Sequence, residues 1–191
     1  RRSRKTSERK LMNLKDIHNI FFIGIGGIGM SALARYFHAN DKNVAGYDKT
    51  QTEITDGLQD LGIEVHFKDA IENIKPVFQN IENTLVVYTP AVPADNEELG
   101  YFKNHGFNVL KRAQTLGLIT QNTFCLAVAG THGKTTTTSI LGHLMNVCNV
   151  PLTAFLGGIS ENYNSNLILN GTEVSVVEAD EFDRSFLTLS P

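Results

Sequence analysis

The sequence predicts an α/β protein built on parallel sheets, and three observations predict it. Short β-rich apolar runs alternate with stretches of helical periodicity along most of the chain. Two of those runs close in a glycine-rich turn that opens a helix, once at residues 24–29 and again at 130–134. The spacing between strands leaves room for a crossover helix, as right-handed parallel connections require. With 191 residues, 41% of them from the AVILMFWYC set and 19% charged, the chain has a globular composition sufficient for one or two domains.

The elements follow in order. IFFIG, from Ile20, is a strand closed by glycine, and in GIGGIGMSALARYFHAN the residues Met30, Leu33, Ala34 and Phe37 recur at helical spacing. Residues 43–47 form a second strand ending at Asp48, 54–61 a helix stopped by Gly62, and 63–67 a third strand. A strand at 84–88, a helix at 96–104, a strand at 107–110 and a helix at 112–120 complete a first unit that closes near 121–122. FCLAVAG then repeats the strand-to-glycine pattern, TTTTSILGHLMNV continues as a helix, and 152–156 and 173–177 read as further strands. This second unit has about 70 residues and too few strands for an α/β domain, so the chain is expected to be a fragment. The expected organisation is a leader or tag at 1–11, a domain at 12–121 and an incomplete domain at 122–191, the two packed directly because no low-complexity linker separates them.

Composition also excludes classes of function. The longest apolar stretch, 20–30, has eleven residues with four glycines, too short and turn-prone to span a bilayer. The first ten residues hold six of the 17 Lys/Arg and one of the 20 Asp/Glu, which leaves the remaining 181 residues at −8. Such a body lacks the basic face of a nucleic-acid binder. Cys125 and Cys148 stand without metal-ligand spacing and are expected as small buried residues.

Two loops carry the chemistry. Gly24-Ile25-Gly26-Gly27-Ile28-Gly29 satisfies G-x-G-x-x-G between a strand and a helix, with Asp48 at the end of the next strand. Glycines there admit positive φ and close approach of a pyrophosphate, and the helix N-terminus supplies free N–H groups, so the first domain is Rossmann-like. Gly130-Thr131-His132-Gly133-Lys134-Thr135 keeps the G-K-T core of a P-loop although Val128 occupies the position of its first glycine. In that chemistry amides wrap a β-phosphate, Lys134 reaches the β- and γ-oxygens and the Thr135 hydroxyl ligates Mg²⁺; His132 shapes the turn. The strand at 174–177 leads into Glu178-Ala179-Asp180-Glu181-Phe182-Asp183, where a carboxylate can hold that Mg²⁺. Thr89-Pro90-Ala91-Val92-Pro93, at a strand's carboxyl end, is placed either to edge the first site or to form a rigid turn. His18, His38, His66, His105 and His143 show no metal spacing and receive no role.

Together GIGGIGMSALA, the TPAV loop, GTHGKTTTT and EADEFD, in this order over residues 12–191, resemble the Mur ligase family of ATP-dependent amide-forming enzymes of peptidoglycan synthesis. The resemblance implies that the first loop binds the diphosphate of a UDP-sugar, with Gly26, Gly27, Ile28, Gly29, Met30, Asp48 and Thr89, Pro90, Ala91 and Val92 around it. It also implies ATP at Gly130, Thr131, His132, Gly133, Lys134, Thr135 and Thr136, Mg²⁺ at Thr135 and Glu178, and catalytic roles for Lys134 and Glu178. Within the family the GGIGMSALA form resembles the branch that adds L-alanine to UDP-N-acetylmuramate through an acyl phosphate in the cytoplasm. The branch that recycles muramyl peptides onto the same UDP-sugar is one alternative, and an NAD(P)-binding oxidoreductase is another. Lys68-Asp69 stands where the family often has Gly-His, and Arg112-Ala113-Gln114 where it often has Arg-Ala-Glu. Because the family has a third domain that helps bind ATP and the amino acid, this chain is expected to bind the UDP-sugar without turnover.

Overall fold

A computed structural model describes residues 14–179, 186–189 and 191. The basic leader and the carboxylates Asp180, Glu181 and Asp183 lie outside the described residues. The first sheet has five strands, β1 (Asn19–Ile23), β2 (Asn43–Tyr47), β3 (Glu64–His66), β4 (Thr84–Tyr88) and β5 (Asn108–Lys111), in the order β3-β2-β1-β4-β5. Every pairing in it is parallel. The order reverses between β2-β1 and β4, which opens a crevice beyond the carboxyl ends of β1 and β4, where open parallel sheets bind ligands.

Strand alternation places the core. Ile20 and Phe22 face one side of the sheet with α1 (Ile28–Ala39), whereas Phe21 and Ile23 face the other with Phe78, Phe102 and Phe107. The second face is covered by α3 (Glu97–Asn104) and by short 3₁₀ turns at Ile71–Asn73 and Pro76–Gln79 that the sequence reading left unassigned. The helices α2 (Glu53–Gln59) and α4 (Arg112–Thr120) complete this half.

At 121–123 the chain passes into a second sheet of β6 (Phe124–Val128), β7 (Leu152–Ser160), β8 (Ser165–Leu169) and β9 (Val174–Glu178), in the order β6-β9-β7-β8, with α5 (Lys134–Val147) packed on it. Strand β8 was not expected. It pairs antiparallel with β7, which runs four residues past its expected end. The sheet is therefore mixed, not purely parallel. Cys148 was expected to be buried and is exposed just beyond α5, while Cys125 is buried. The helix itself leaves Ile140, Leu144 and Val147 exposed on its outer side.

One core joins the two sheets. Phe22, Leu33 and Phe37 belong to the same buried cluster as Phe155, Leu167 and Val177. Helix α1 lies at the join, where the buried Asn166 of β8 donates to the Ile28 carbonyl at 2.6 Å and to Ser31 Oγ at 2.8 Å. Among the described residues, no helix is long and apolar enough to cross a membrane.

Candidate functional site

The crevice at the strand reversal begins with a tightly tied loop. Gly24 leaves β1 at φ +84°, a left-handed conformation that favours glycine, and the Gly24 and Ile25 N–H groups donate to the Tyr47 carbonyl at 2.8 and 3.0 Å. The Gly26 N–H donates to Asp48 Oδ2 at 2.7 Å, and Asp48 Oδ1 accepts from the Thr50 N–H at 3.2 Å. A Cβ on Gly26 would stand 2.9 Å from both Asp48 Oδ2 and Thr55 Cγ2, so the loop closes only with glycine there. Gly27 caps α1 from an extended conformation in which a Cβ would meet only ordinary contacts, and its carbonyl accepts from the Met30 and Ser31 N–H groups.

This loop forms one wall of a cleft of about 620 Å³. Of the residues expected around the UDP-sugar, Gly26, Gly27, Asp48, Thr89, Ala91 and Val92 border it. Pro90 is exposed outside it, and Met30 is buried in the core at 2% exposure, so its side chain does not reach the cleft. Ile28 and Gly29 border a different cavity, described below.

The opposite wall rests on residues that sequence reasoning did not assign. Asp69 Oδ2 and Oδ1 accept from the Glu97 and Glu98 N–H groups at 2.9 and 3.1 Å, capping α3 from the loop after β3. Glu98 answers in the other direction: buried completely, its Oε1 accepts from the Ala70 N–H at 3.2 Å and lies 2.7 Å from His66 Nε2. Asn96 Oδ1 caps the same helix through the Leu99 N–H at 2.8 Å. Asp69, at the place where the resemblance led to an expectation of histidine, thus borders the cleft and braces its wall. His66, assigned no role, is part of that brace. Burial, followed by the nearby Asp69, Glu98 and Asp48 carboxylates, raises the Tyr47 phenol above its usual range and keeps it a neutral hydroxyl on the cleft. The local signal for α3 was legible in Asn96-Glu97-Glu98; the reach of Asp69 across 28 residues was not.

The second loop joins β6 to α5. Gly133 caps the helix at φ +77°, and Lys134, the first helical residue, folds back so that Nζ donates to the Gly130 carbonyl at 2.8 Å. Thr131, His132, Thr135 and Thr136 are exposed. At the end of β9, adjacent to β6, Glu178 Oε1 accepts from the Gly157 N–H at 2.9 Å. Gly157 lies where the β7–β8 register shifts between Phe155 and Ser160, and a Cβ there would fall 2.5 Å from Glu178 Oε1.

These groups meet in a cavity of about 410 Å³ lined by Ile28 and Gly29 of α1, Arg112 of α4, Lys134 and Thr135 of α5, and Gly157 and Glu178. Sequence reasoning brought Lys134, Thr135 and Glu178 together but missed Arg112. Gln114, which replaces the family's glutamate, accepts from the Lys111 N–H at 2.9 Å and so caps α4, a task that its amide performs as a carboxylate would. Among the described residues no group of three or more His, Cys, Asp or Glu could hold a metal. One carboxylate and one hydroxyl beside a phosphate loop nevertheless fit Mg²⁺, which keeps waters and is bound largely through phosphate oxygens.

Comparison with known proteins shows the family. The family described as "Mur ligase family, catalytic domain" matches residues 19–123. The chain belongs to the Mur ligase family. A UDP-N-acetylmuramate–L-alanine ligase of Flavobacterium psychrophilum is 62% identical over 180 residues, covering 94% of this Mur ligase chain and 40% of that protein. One from Porphyromonas gingivalis is 58% identical over 173 residues, covering 90% and 38%. The crystal structure of UDP-N-acetylmuramate-alanine ligase from Thermotoga maritima superposes with a TM-score of 0.79 at 34% identity, over 91% of this chain and 39% of that one. A Neisseria meningitidis ligase for UDP-N-acetylmuramate and L-alanyl-γ-D-glutamyl-meso-diaminopimelate gives 0.75 at 27% identity, over 88% and 54%. The chain spans about 40% of the length of the curated relatives it matches.

Proposed function

We propose that this chain carries the UDP-sugar site and part of the ATP site of a ligase that adds L-alanine to UDP-N-acetylmuramate in peptidoglycan synthesis. Residues 12–121 would form the UDP-sugar-binding domain and 122–191 the beginning of the central ATP-binding domain, with the rest of the enzyme supplying the remainder of the ATP and alanine sites. The observation that carries the reading is a pair of phosphate-type loops near the start of α1, one opening that helix beside a cleft of about 620 Å³ and the other beside a cavity with Lys134, Thr135 and Glu178. The names of the relatives support L-alanine as the amino acid.

In this mechanism Gly26 and Gly27, just before the start of α1, hold the diphosphate, with Asp48 fixing the loop. Oxyanions of ATP bind at the N-terminus of α5, where Lys134 leaves the Gly130 carbonyl to neutralise the γ-phosphate. The muramyl carboxylate attacks the γ-phosphorus and ADP leaves, which gives an acyl phosphate; the alanine amine then attacks the acyl carbon, phosphate departs and the amide forms with loss of a proton. Mg²⁺ held by Thr135 and Glu178 would supply further charge neutralisation at the phosphates. Positioning and charge neutralisation do most of the work, as in other phosphoryl transfers. The setting would be the cytoplasm.

A coupled phosphate-release assay tests the division of labour. The chain alone is expected to release no phosphate in response to L-alanine and UDP-N-acetylmuramate; steady alanine-dependent release would contradict it. With the free tripeptide L-alanyl-γ-D-glutamyl-meso-diaminopimelate in place of alanine the same assay on the whole enzyme separates the recycling branch. Fluorescence enhancement of NADH on mixing would favour the oxidoreductase reading instead.

A further inference from the structure

The cavity between the two sheets contains a cation that belongs to neither glycine loop. Arg112 is the first residue of α4, at the carboxyl end of β5, and it lies across the first turn of α1. A Cβ on Gly29 would come within 2.8 Å of Arg112 Cδ and Nη1, so the glycine at 29 makes the room that the arginine occupies. Among the described residues the ion pairs are His66–Glu98 and Lys75–Glu64, and the Arg112 side chain makes neither an ion pair nor a hydrogen bond with any of them. It lines the cavity together with Lys134, Thr135 and Glu178.

We propose that Arg112 binds the carboxylate that is to be activated, the lactyl carboxylate of UDP-N-acetylmuramate, and so selects the muramyl sugar over a UDP-sugar that lacks it. The inference rests on the UDP-sugar reading of the first cleft. Its geometry follows from α1: Gly26 and Gly27 border the cleft, and Ile28 and Gly29, on the next part of the same turn, border the cavity. A ligand held by its diphosphate at the former therefore extends its far end toward the latter. There a carboxylate must approach a triphosphate, and two anions brought together out of bulk water repel strongly unless cations stand with them. Lys134 belongs to the phosphate side. Arg112 comes from the sheet that holds the sugar, so its charge goes with the acceptor. A guanidinium presents two parallel N–H donors that match both carboxylate oxygens, which a helix N-terminus or a lysine does not. Glu178, the cavity's carboxylate, is held by the Gly157 N–H, and it would disfavour a second carboxylate without a neighbouring cation.

The test is calorimetric titration of this chain with UDP-N-acetylmuramate and UDP-N-acetylglucosamine, which share the diphosphate and differ in the lactyl group. The unaltered chain is expected to prefer the muramyl sugar. Arg112→Gln is expected to weaken UDP-N-acetylmuramate by about tenfold or more, the usual scale for a lost charged hydrogen bond, and to change UDP-N-acetylglucosamine by less than about twofold. Gly29→Ala, which displaces the arginine without removing it, is expected to reduce the same preference, and keeps the proposal testable if Arg112→Gln does not fold. Equal weakening of both sugars would place Arg112 on the diphosphate and overturn the proposal, as would a preference unchanged in both variants or missing from the unaltered chain. Failure of the unaltered chain to bind either sugar would overturn the UDP-sugar reading itself.

Discussion

The two glycine loops follow the same strand-turn-helix plan, yet they are finished differently. The first is tied to its own sheet: Asp48 accepts the Gly26 N–H, Gly24 and Ile25 donate to Tyr47, and the facing wall is braced by Asp69, Glu98 and His66. The second is closed by its own lysine on the Gly130 carbonyl, and its threonines stand exposed. The difference teaches that the first cleft is preorganised by protein groups, whereas the second loop holds an internal lysine contact that a ligand would have to replace. Substitutions at the tied positions of the first loop should therefore register in both stability and binding, and substitutions in the second in binding alone.

The largest effect is expected within the first loop. Gly26→Val forces a branched side chain onto Asp48 and Thr55, and should cost about 1–3 kcal/mol of stability together with UDP-sugar binding. Gly27→Val, one residue on, meets only ordinary contacts and keeps a φ of −64°, so it should fold normally and block the cleft. Thermal unfolding and calorimetry on the pair separate folding from binding; equal melting temperatures would break the distinction. Next, Asp48→Ala removes the acceptor of the Gly26 N–H and should lower stability by about 1.5–3 kcal/mol, the scale of a hydrogen bond to a charged group, as read from denaturant unfolding. Lys134→Ala, by contrast, should leave UDP-sugar affinity within about twofold and stability within about 0.5 kcal/mol, as expected away from a tightly packed site, while abolishing ATP-dependent turnover in the whole enzyme. A large loss of UDP-sugar binding in that variant would merge the two loops into one site.

The smallest effect concerns the cysteines. Burial raises the Cys125 thiol above its ordinary range, so native alkylation should modify the exposed Cys148 first and leave Cys125 until the chain unfolds, as mass spectrometry can follow. A thiol whose folded pKa is raised stabilises the fold fully below its unfolded pKa. That contribution declines as pH rises from the unfolded value toward the folded one, so any pH trend from Cys125 is a loss on the alkaline side.

Much of the first sheet was legible because each strand is a short apolar run ended by glycine or a polar residue, and each helix has a periodic face. The β8 strand was not, since Ser165–Leu169 is brief, flanked by asparagines, and defined only by its antiparallel partner. Geometry also explains why five consecutive residues, Gly26 to Met30, could not all line one site. Once α1 begins at Ile28, each residue turns by about 100°, so Ile28 and Gly29 face the second cavity and Met30 the core. Asp69 and Glu98 were hidden for another reason: each acts through a partner brought near only by the fold, and Arg112 likewise reaches Gly29 and the cavity through the fold and not through sequence spacing.

The most direct test of the account is a calorimetric titration of the chain with UDP-N-acetylmuramate, with NADH as the control ligand and Gly27→Val as the control protein. Saturable binding of the UDP-sugar, absent from the variant and absent with NADH, is the predicted result. Saturable binding of NADH with none of the UDP-sugar would contradict it and make the first cleft a dinucleotide site.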